Sequence, residues 1–191
     1  MSVMQNKLKL VSIIFCLALV LFVPSGCTTE STDTACSEVC PVITNRPEGW
    51  SVSEFTSDVN VISFDDSLNY VNDTVVLYYS FDDCPWCYDG FPVFKDVANT
   101  YDVEWYYVDV QRDERNADND TYKELLNIFS SECNDTLYMP FAVFIKDGKI
   151  IGSNTGTVSS HQISDDKLPV ISSKQKEELK KIYISLFEEI R

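Results

Sequence analysis

Thr74 to Ser80 reads TVVLYYS, an uncharged run of mostly β-branched and aromatic residues. Polar and apolar residues do not alternate in it, so a strand built from it is covered on both faces rather than wetted on one. The next run of this kind, VEWYYVDV (Val103–Val110), predicts a second buried strand. Between them the chain turns helical after Cys84. Pro85 suits a first helical position, and Phe91, Phe94, Val97 and Tyr101 fall on one face. Strand, helix, strand implies a right-handed parallel crossover.

The remaining segments extend that unit. SFDDSLNYVND places Phe64, Leu68 and Val71 at helical spacing behind a capping box of Ser63 and Asp66. After the polar stretch QRDERNADND comes TYKELLNIFSSEC. Thr121 and Glu124 make a second box there, and Tyr122, Leu125, Leu126 and Phe129 an apolar stripe. FAVFIKDGKIIG is two apolar runs joined by Asp147 and Gly148, a hairpin. SSKQKEELKKIYISLFEEI then aligns Leu179, Ile182, Tyr183, Leu186, Phe187 and Ile190 along one helix. The order helix, strand, helix, strand, helix, hairpin, helix predicts a three-layer α/β/α sandwich with a mixed central sheet. No internal repeat is present.

The 191 residues divide unevenly. Lys7 and Lys9 precede the apolar run LVSIIFCLALVLFV (Leu10–Val23), followed by PSGC. A charged start, a short apolar core and small residues read as a secretory signal over residues 1–26. A spanning helix needs about 20 apolar residues. VPSGC resembles the lipobox of bacterial lipoproteins. Ser25, Gly26 and Cys27 match it, while Pro24 stands where an aliphatic residue is usual. The resemblance implies lipidation of Cys27 and places the domain on the extracytoplasmic face of a bacterial cell membrane. Residues 27–50, rich in Thr, Ser, Asp, Glu and Pro, read as a flexible tether, and residues 51–191 as the folded domain. Loss of residues 1–26 leaves 13 basic against 30 acidic residues, a net charge of −17. Such a surface repels nucleic acid and anionic headgroups, so no nucleic-acid partner is expected.

FDDCPWCYDG (Phe81–Gly90) carries two cysteines two residues apart. The spacing suits a redox dithiol, half of a zinc site or a structural crosslink. Zinc needs four ligands, commonly from two such knuckles. The only other close pair, Cys36 and Cys40, falls in the tether, and His161 stands alone in a polar stretch that reads as solvated. No metal is expected. As a crosslink, so tight a loop adds little stability. Export permits disulfides. With Cys16 in the signal and Cys27 acylated, Cys36, Cys40, Cys84, Cys87 and Cys133 remain, an odd number. Cys36 and Cys40 form a pair, or Cys133 joins one of them as a staple.

A C-x-x-C directly after the first long buried strand, at a helix start, resembles the thioredoxin superfamily. Pro92, eight residues after Cys84, matches that superfamily's helix-kinking proline, and MPFAVFIKDGKIIG its cis-proline segment, which puts Pro140 in that role. The resemblance runs from Val61 to Arg191. CPWC and the lipoprotein start also resemble small secreted thioredoxin-like proteins of the bacteriocin-transport accessory type. One position departs: thioredoxins carry a buried carboxylate six residues before the first cysteine, where this chain has Tyr78.

The implied activity is thiol–disulfide exchange without a cofactor. Cys84, at the helix N-terminus, meets unpaired N–H groups and the positive end of the dipole, which favour its thiolate. It is the expected nucleophile and Cys87 the resolving thiol. Asp82, Asp83 and Asp89 oppose that effect as like charges, so the Cys84 pKa is expected to fall only moderately. Trp86 offers an apolar rim, and the backbone of Met139 beside Pro140 is expected to pair with an extended substrate. The expected partners are exported proteins or peptides bearing thiols or disulfides. The alternative is a binding lipoprotein that keeps the fold without turnover, to which the missing carboxylate points.

Overall fold

The computed structural model describes residues 42–43, 48–164 and 167–191. Expectations on the signal, on Cys27 and on Cys36 and Cys40 lie outside the described residues. The main elements are β1 (Val42–Ile43), β2 (Val61–Ser63), β3 (Val75–Ser80), α1 (Pro85–Ala98), β4 (Trp105–Asp109), α2 (Asp120–Ile128), β5 (Phe141–Lys146), β6 (Lys149–Thr155), β7 (Lys167–Leu168) and α3 (Ser173–Ile190). Short 3-10 helices occupy Val52–Phe55, Asp65–Tyr70 and Arg112–Glu114.

The central sheet runs β2-β4-β3-β5-β6. β4 lies parallel between β2 and β3, and β5 returns antiparallel to β3 and to β6. Every residue of β3 is buried, as its uncharged, non-alternating sequence demands. Its alternate side chains serve opposite faces. Val76 and Tyr78 pack with Phe91, Phe94 and Val97 of α1 and with Leu179, Tyr183 and Phe187 of α3. Val75, Leu77 and Tyr79 pack with Phe64, Tyr122, Leu125 and Phe129. This is the thioredoxin-like three-layer α/β/α fold. The β5–β6 turn falls at Asp147 and Gly148, both at positive φ (49° and 73°), as a two-residue hairpin turn requires. Thr74 Oγ1 accepts the Asp147 N–H at 3.0 Å, so the hairpin tip is tied to the start of the central strand.

Three local expectations are corrected. The α-helix expected over SFDDSLNYVND is the last residue of β2 followed by a 3-10 helix over Asp65–Tyr70. Asp66 donates its N–H to Ser63 Oγ (3.1 Å), but Ser63 sits in β2 in register with Asp109, so sheet pairing overrides the cap. α2 is capped by Asn119, whose Oδ1 accepts from the Tyr122 N–H (2.8 Å). Thr121 instead donates to Asp65 across the layer. The second parallel strand is shorter than Val103–Val110 and only half-buried at Trp105 and Tyr106. In addition, Val42–Ile43, inside the stretch read as tether, pair in parallel with Lys167–Leu168.

Candidate redox site

α1 begins where β3 ends, at the carboxyl end of the sheet. Cys84 is its N-cap, with extended backbone (φ −91°, ψ 113°), and Pro85 is the first helical residue. Pro85 lacks an N–H, which costs nothing at a position that has no intrahelical acceptor. Cys84 Sγ accepts the Cys87 N–H at 3.1 Å, and Cys84 O accepts the Tyr88 N–H at 2.9 Å. The sulfur therefore takes a hydrogen bond from a helix N-terminus. Cys84 and Cys87 are joined in a disulfide, Cα–Cα 5.1 Å. Both are buried, Cys84 at 1% exposure and Cys87 at 0%.

The Met139–Pro140 peptide is cis and lies against this disulfide: the Met139 carbonyl oxygen is 3.8 Å from Cys84 Sγ. Pro140 O accepts the Gly156 N–H at 2.7 Å, so the chain leaving β6 braces the proline. Gly90 marks where α1 meets this edge. A Cβ there would sit 3.2 Å from Tyr78 Oη, 3.3 Å from Thr157 Cγ2 and 3.6 Å from Pro140 Cγ. The absence of a side chain lets helix, central strand and proline loop converge. Trp86 is half-buried beside the dithiol, and Tyr138, just before Met139, is 67% exposed.

The acids are not the bare charges that their sequence suggests. Asp82 receives hydrogen bonds from Ser51 Oγ and, at 2.9 Å, from the Ser53 N–H. Burial pushes the Asp82 carboxyl up, but these hydrogen bonds outweigh it and hold the group below its ordinary value. Asp83 pairs with Arg112. Asp89, expected as a like charge beside the dithiol, is inside the protein at 5% exposure. Its Oδ2 accepts the Ile171 N–H (3.3 Å) and lies 3.3 Å from His161 Nε2.

His161 is likewise buried, at 2% exposure, where the sequence suggested a solvated ring. Its Nε2 is 2.8 Å from Pro169 O. A carbonyl only accepts, so Nε2 carries the proton. Its Nδ1 lies 2.8 Å from Thr157 Oγ1. The network Asp89–His161–Thr157 thus straps the segment after β6 onto the redox helix. Its sequence signal was an acid set within the otherwise uncharged stretch from Cys87 to Phe94, together with the chain's single histidine. Nothing local said that the two would meet.

Tyr78 occupies the interior behind the dithiol. Its hydroxyl is fully buried and makes no hydrogen bond of normal geometry, and neither does that of Tyr183. Burial, and after it the neighbouring hydroxyls of Tyr183 and Tyr107, push the Tyr78 pKa well up. The group keeps its proton at neutral pH and is no base for Cys87. Among the described residues Cys133 is a buried thiol with no disulfide, its Sγ 3.2 Å from Phe129 O; the staple to Cys36 or Cys40 lies outside the described residues. Among the described residues no cluster of His, Cys, Asp and Glu could hold a metal ion.

No family model matches the chain, and a search of curated proteins found no match. Among solved structures the chain is similar to thioredoxin f2 of Chlamydomonas reinhardtii. The identity is 20%, over 51% of this chain and 83% of that one, with a TM-score of 0.37. It is similar to spinach chloroplast thioredoxin f at 22% identity, over 51% and 80%, TM-score 0.36. The reduced thioredoxin pre-protein of Schistosoma mansoni matches at 21%, over 65% and 98%, TM-score 0.35. The strand order and crossover described above, not these likenesses, carry the fold.

Proposed function

We propose that the protein is an exported, membrane-anchored thiol–disulfide oxidoreductase that exchanges disulfides with extracytoplasmic proteins through Cys84 and Cys87. The observation that carries this reading is the Cys84–Cys87 disulfide at the N-terminus of α1 with the Met139 carbonyl 3.8 Å from Cys84 Sγ. A helix N-terminus stabilises a thiolate, and the Met139 backbone offers an extended substrate a partner. In the reduced protein, Cys84 thiolate attacks a substrate disulfide. A Cys84–substrate bond forms as the substrate S–S bond breaks, and the first substrate sulfur leaves as a thiolate and takes up a proton. Cys87, after losing its proton, attacks Cys84 Sγ, closes the disulfide and releases the second substrate thiol. Two electrons pass to the substrate, and the reverse sequence oxidises a dithiol. Tyr78 takes no proton in this scheme, so water or another group receives that of Cys87.

Export and anchoring rest on residues 1–27, and Cys27 is the proposed lipidation site. Among the described residues no helix is long and apolar enough to cross a membrane.

Insulin reduction by wild type and Cys84→Ser tests the activity: the wild type reduces insulin and the variant does not. Equal rates would overturn the reading. The buried Tyr78 in place of a carboxylate favours the alternative, a thioredoxin-like accessory lipoprotein without turnover. Failure of Cys87→Ser to trap any mixed-disulfide partner in the cell envelope would favour that alternative.

A further inference from the structure

Beside the dithiol, on the Trp86 side, the segment after β6 and α3 enclose a cavity of about 440 Å³. Six of its lining residues give it a definite chemistry. Trp86 and Ile182 are half-buried apolar walls, buried Thr157 and His161 form the floor, and exposed Gln162 and Glu178 stand at the mouth. The floor is built rather than incidental, since the imidazole is locked between Thr157, Pro169 O and Asp89. Glu178 is the cavity's exposed charge, and among the described residues it has no ion-pair partner.

We propose that this cavity is a specificity subsite that takes a lysine or arginine side chain of the polypeptide substrate. The inference rests on the redox reading above. A long basic side chain lays its aliphatic stem along apolar walls while its head stays hydrated at the mouth. Here the stem lies against Trp86 and Ile182, and the cationic head meets Glu178, with the Trp86 ring face adding a cation–π contact. A glutamate in the same place meets the Glu178 carboxylate, and a short side chain leaves the walls uncovered. Because Trp86 adjoins both cysteines, a residue held here is close along the chain to the reacting cysteine of the same substrate.

The test uses peptides joined through one cysteine to a small thiol, with lysine, norleucine or glutamate placed one to three residues from that cysteine. Reduction by the reduced full chain is followed in single turnover. The lysine peptide is expected to react about 5-fold faster than the glutamate peptide, the product of an exposed ion pair and a cation–π contact. Glu178→Lys is expected to abolish or invert that ratio and to leave reduction of the neutral bis(2-hydroxyethyl) disulfide unchanged. Glu189→Lys makes the same charge change at the far end of α3 and separates the subsite from general attraction to an acidic protein. It is expected to keep the ratio. An equal effect of both variants, or equal rates for the peptides in wild type, overturns the subsite. If wild type does not reduce the neutral disulfide, the redox reading fails by itself. The subsite is then read on the oxidised protein, by whether a cysteine-free lysine peptide shifts the Trp86 indole and Ile182 methyl NMR signals more than its glutamate counterpart.

Discussion

Tyr78 and Tyr79 are neighbours on β3, equally buried, and face opposite sides of the sheet. Tyr79 packs against Phe64, Phe129 and Phe141 and donates its hydroxyl to Ser67 Oγ at 3.2 Å; Ser67 in turn donates to Phe64 O. Tyr78 packs as tightly, with ring centroids 4.5 Å from Phe94 and 5.2 Å from Phe91, yet its hydroxyl makes no such bond. The α2 face satisfies its buried hydroxyls, whereas the face bearing the dithiol retains those of Tyr78, Ser80 and Tyr183 and an Asp–His pair in its interior. Buried polar groups are usually satisfied, and exceptions gather at functional sites. The contrast therefore separates a face that holds the fold from one that also serves chemistry.

The largest predicted effects test that separation. Phe94→Ala and Phe129→Ala, one on each face and both fully buried, are each expected to cost about 4 kcal/mol in chemical denaturation. Only Phe94→Ala should also shift the redox potential of Cys84–Cys87, because Phe94 belongs to α1, the helix that Cys84 caps, and packs on Tyr78. A shift of the same size in both would erase the distinction. Next in size is Asp89→Ala, which leaves the buried Ile171 N–H without its acceptor and His161 without its carboxylate partner and is expected to cost about 2 kcal/mol. Asp65→Ala on the opposite face, which removes an exposed bond to Thr121, should stay within about 0.5 kcal/mol.

The tyrosines themselves give a smaller and sharper comparison. Tyr79→Phe should destabilise by about 1 kcal/mol through the lost bond to Ser67, while Tyr78→Phe, which removes a hydroxyl without a hydrogen bond of normal geometry, should be neutral or stabilising. The reverse order in denaturation midpoints would show that the Tyr78 hydroxyl is satisfied in solution. The smallest effect concerns Asp109. Burial and then the Asp82 carboxylate raise its pKa, so its ionised form is less favourable in the folded than in the unfolded state. Asp109→Asn should therefore raise the midpoint slightly at pH 7. That gain should fade as pH falls through the raised folded pKa and be gone below the ordinary aspartate value.

What the sequence disclosed follows from the range over which each signal acts. β3, the start of α1 at Pro85, the hairpin at Asp147–Gly148 and the stripe of α3 are all written within a few residues, and each appears where it was expected. β2 was missed because three residues, Val61–Ser63, show no period; they form a strand only because β4 offers an edge. The α2 cap was misplaced because Asn119, Asp120 and Thr121 are all competent cap residues, and the packing of Thr121 onto Asp65 decides among them. The dithiol and Pro140 were legible because their spacing carries a chemical meaning. Asp89 and His161 were not, since 72 positions separate them and only the return of the chain over α1 removes both from water.

Cys133 has a practical consequence. Burial pushes its thiol pKa up, and reagents attack thiolates rather than thiols. It therefore does not compete with Cys84 while the α2 layer stays closed. Alkylation at this position becomes a clock for transient opening of that layer, set into the molecule at a distance from the cysteines that react.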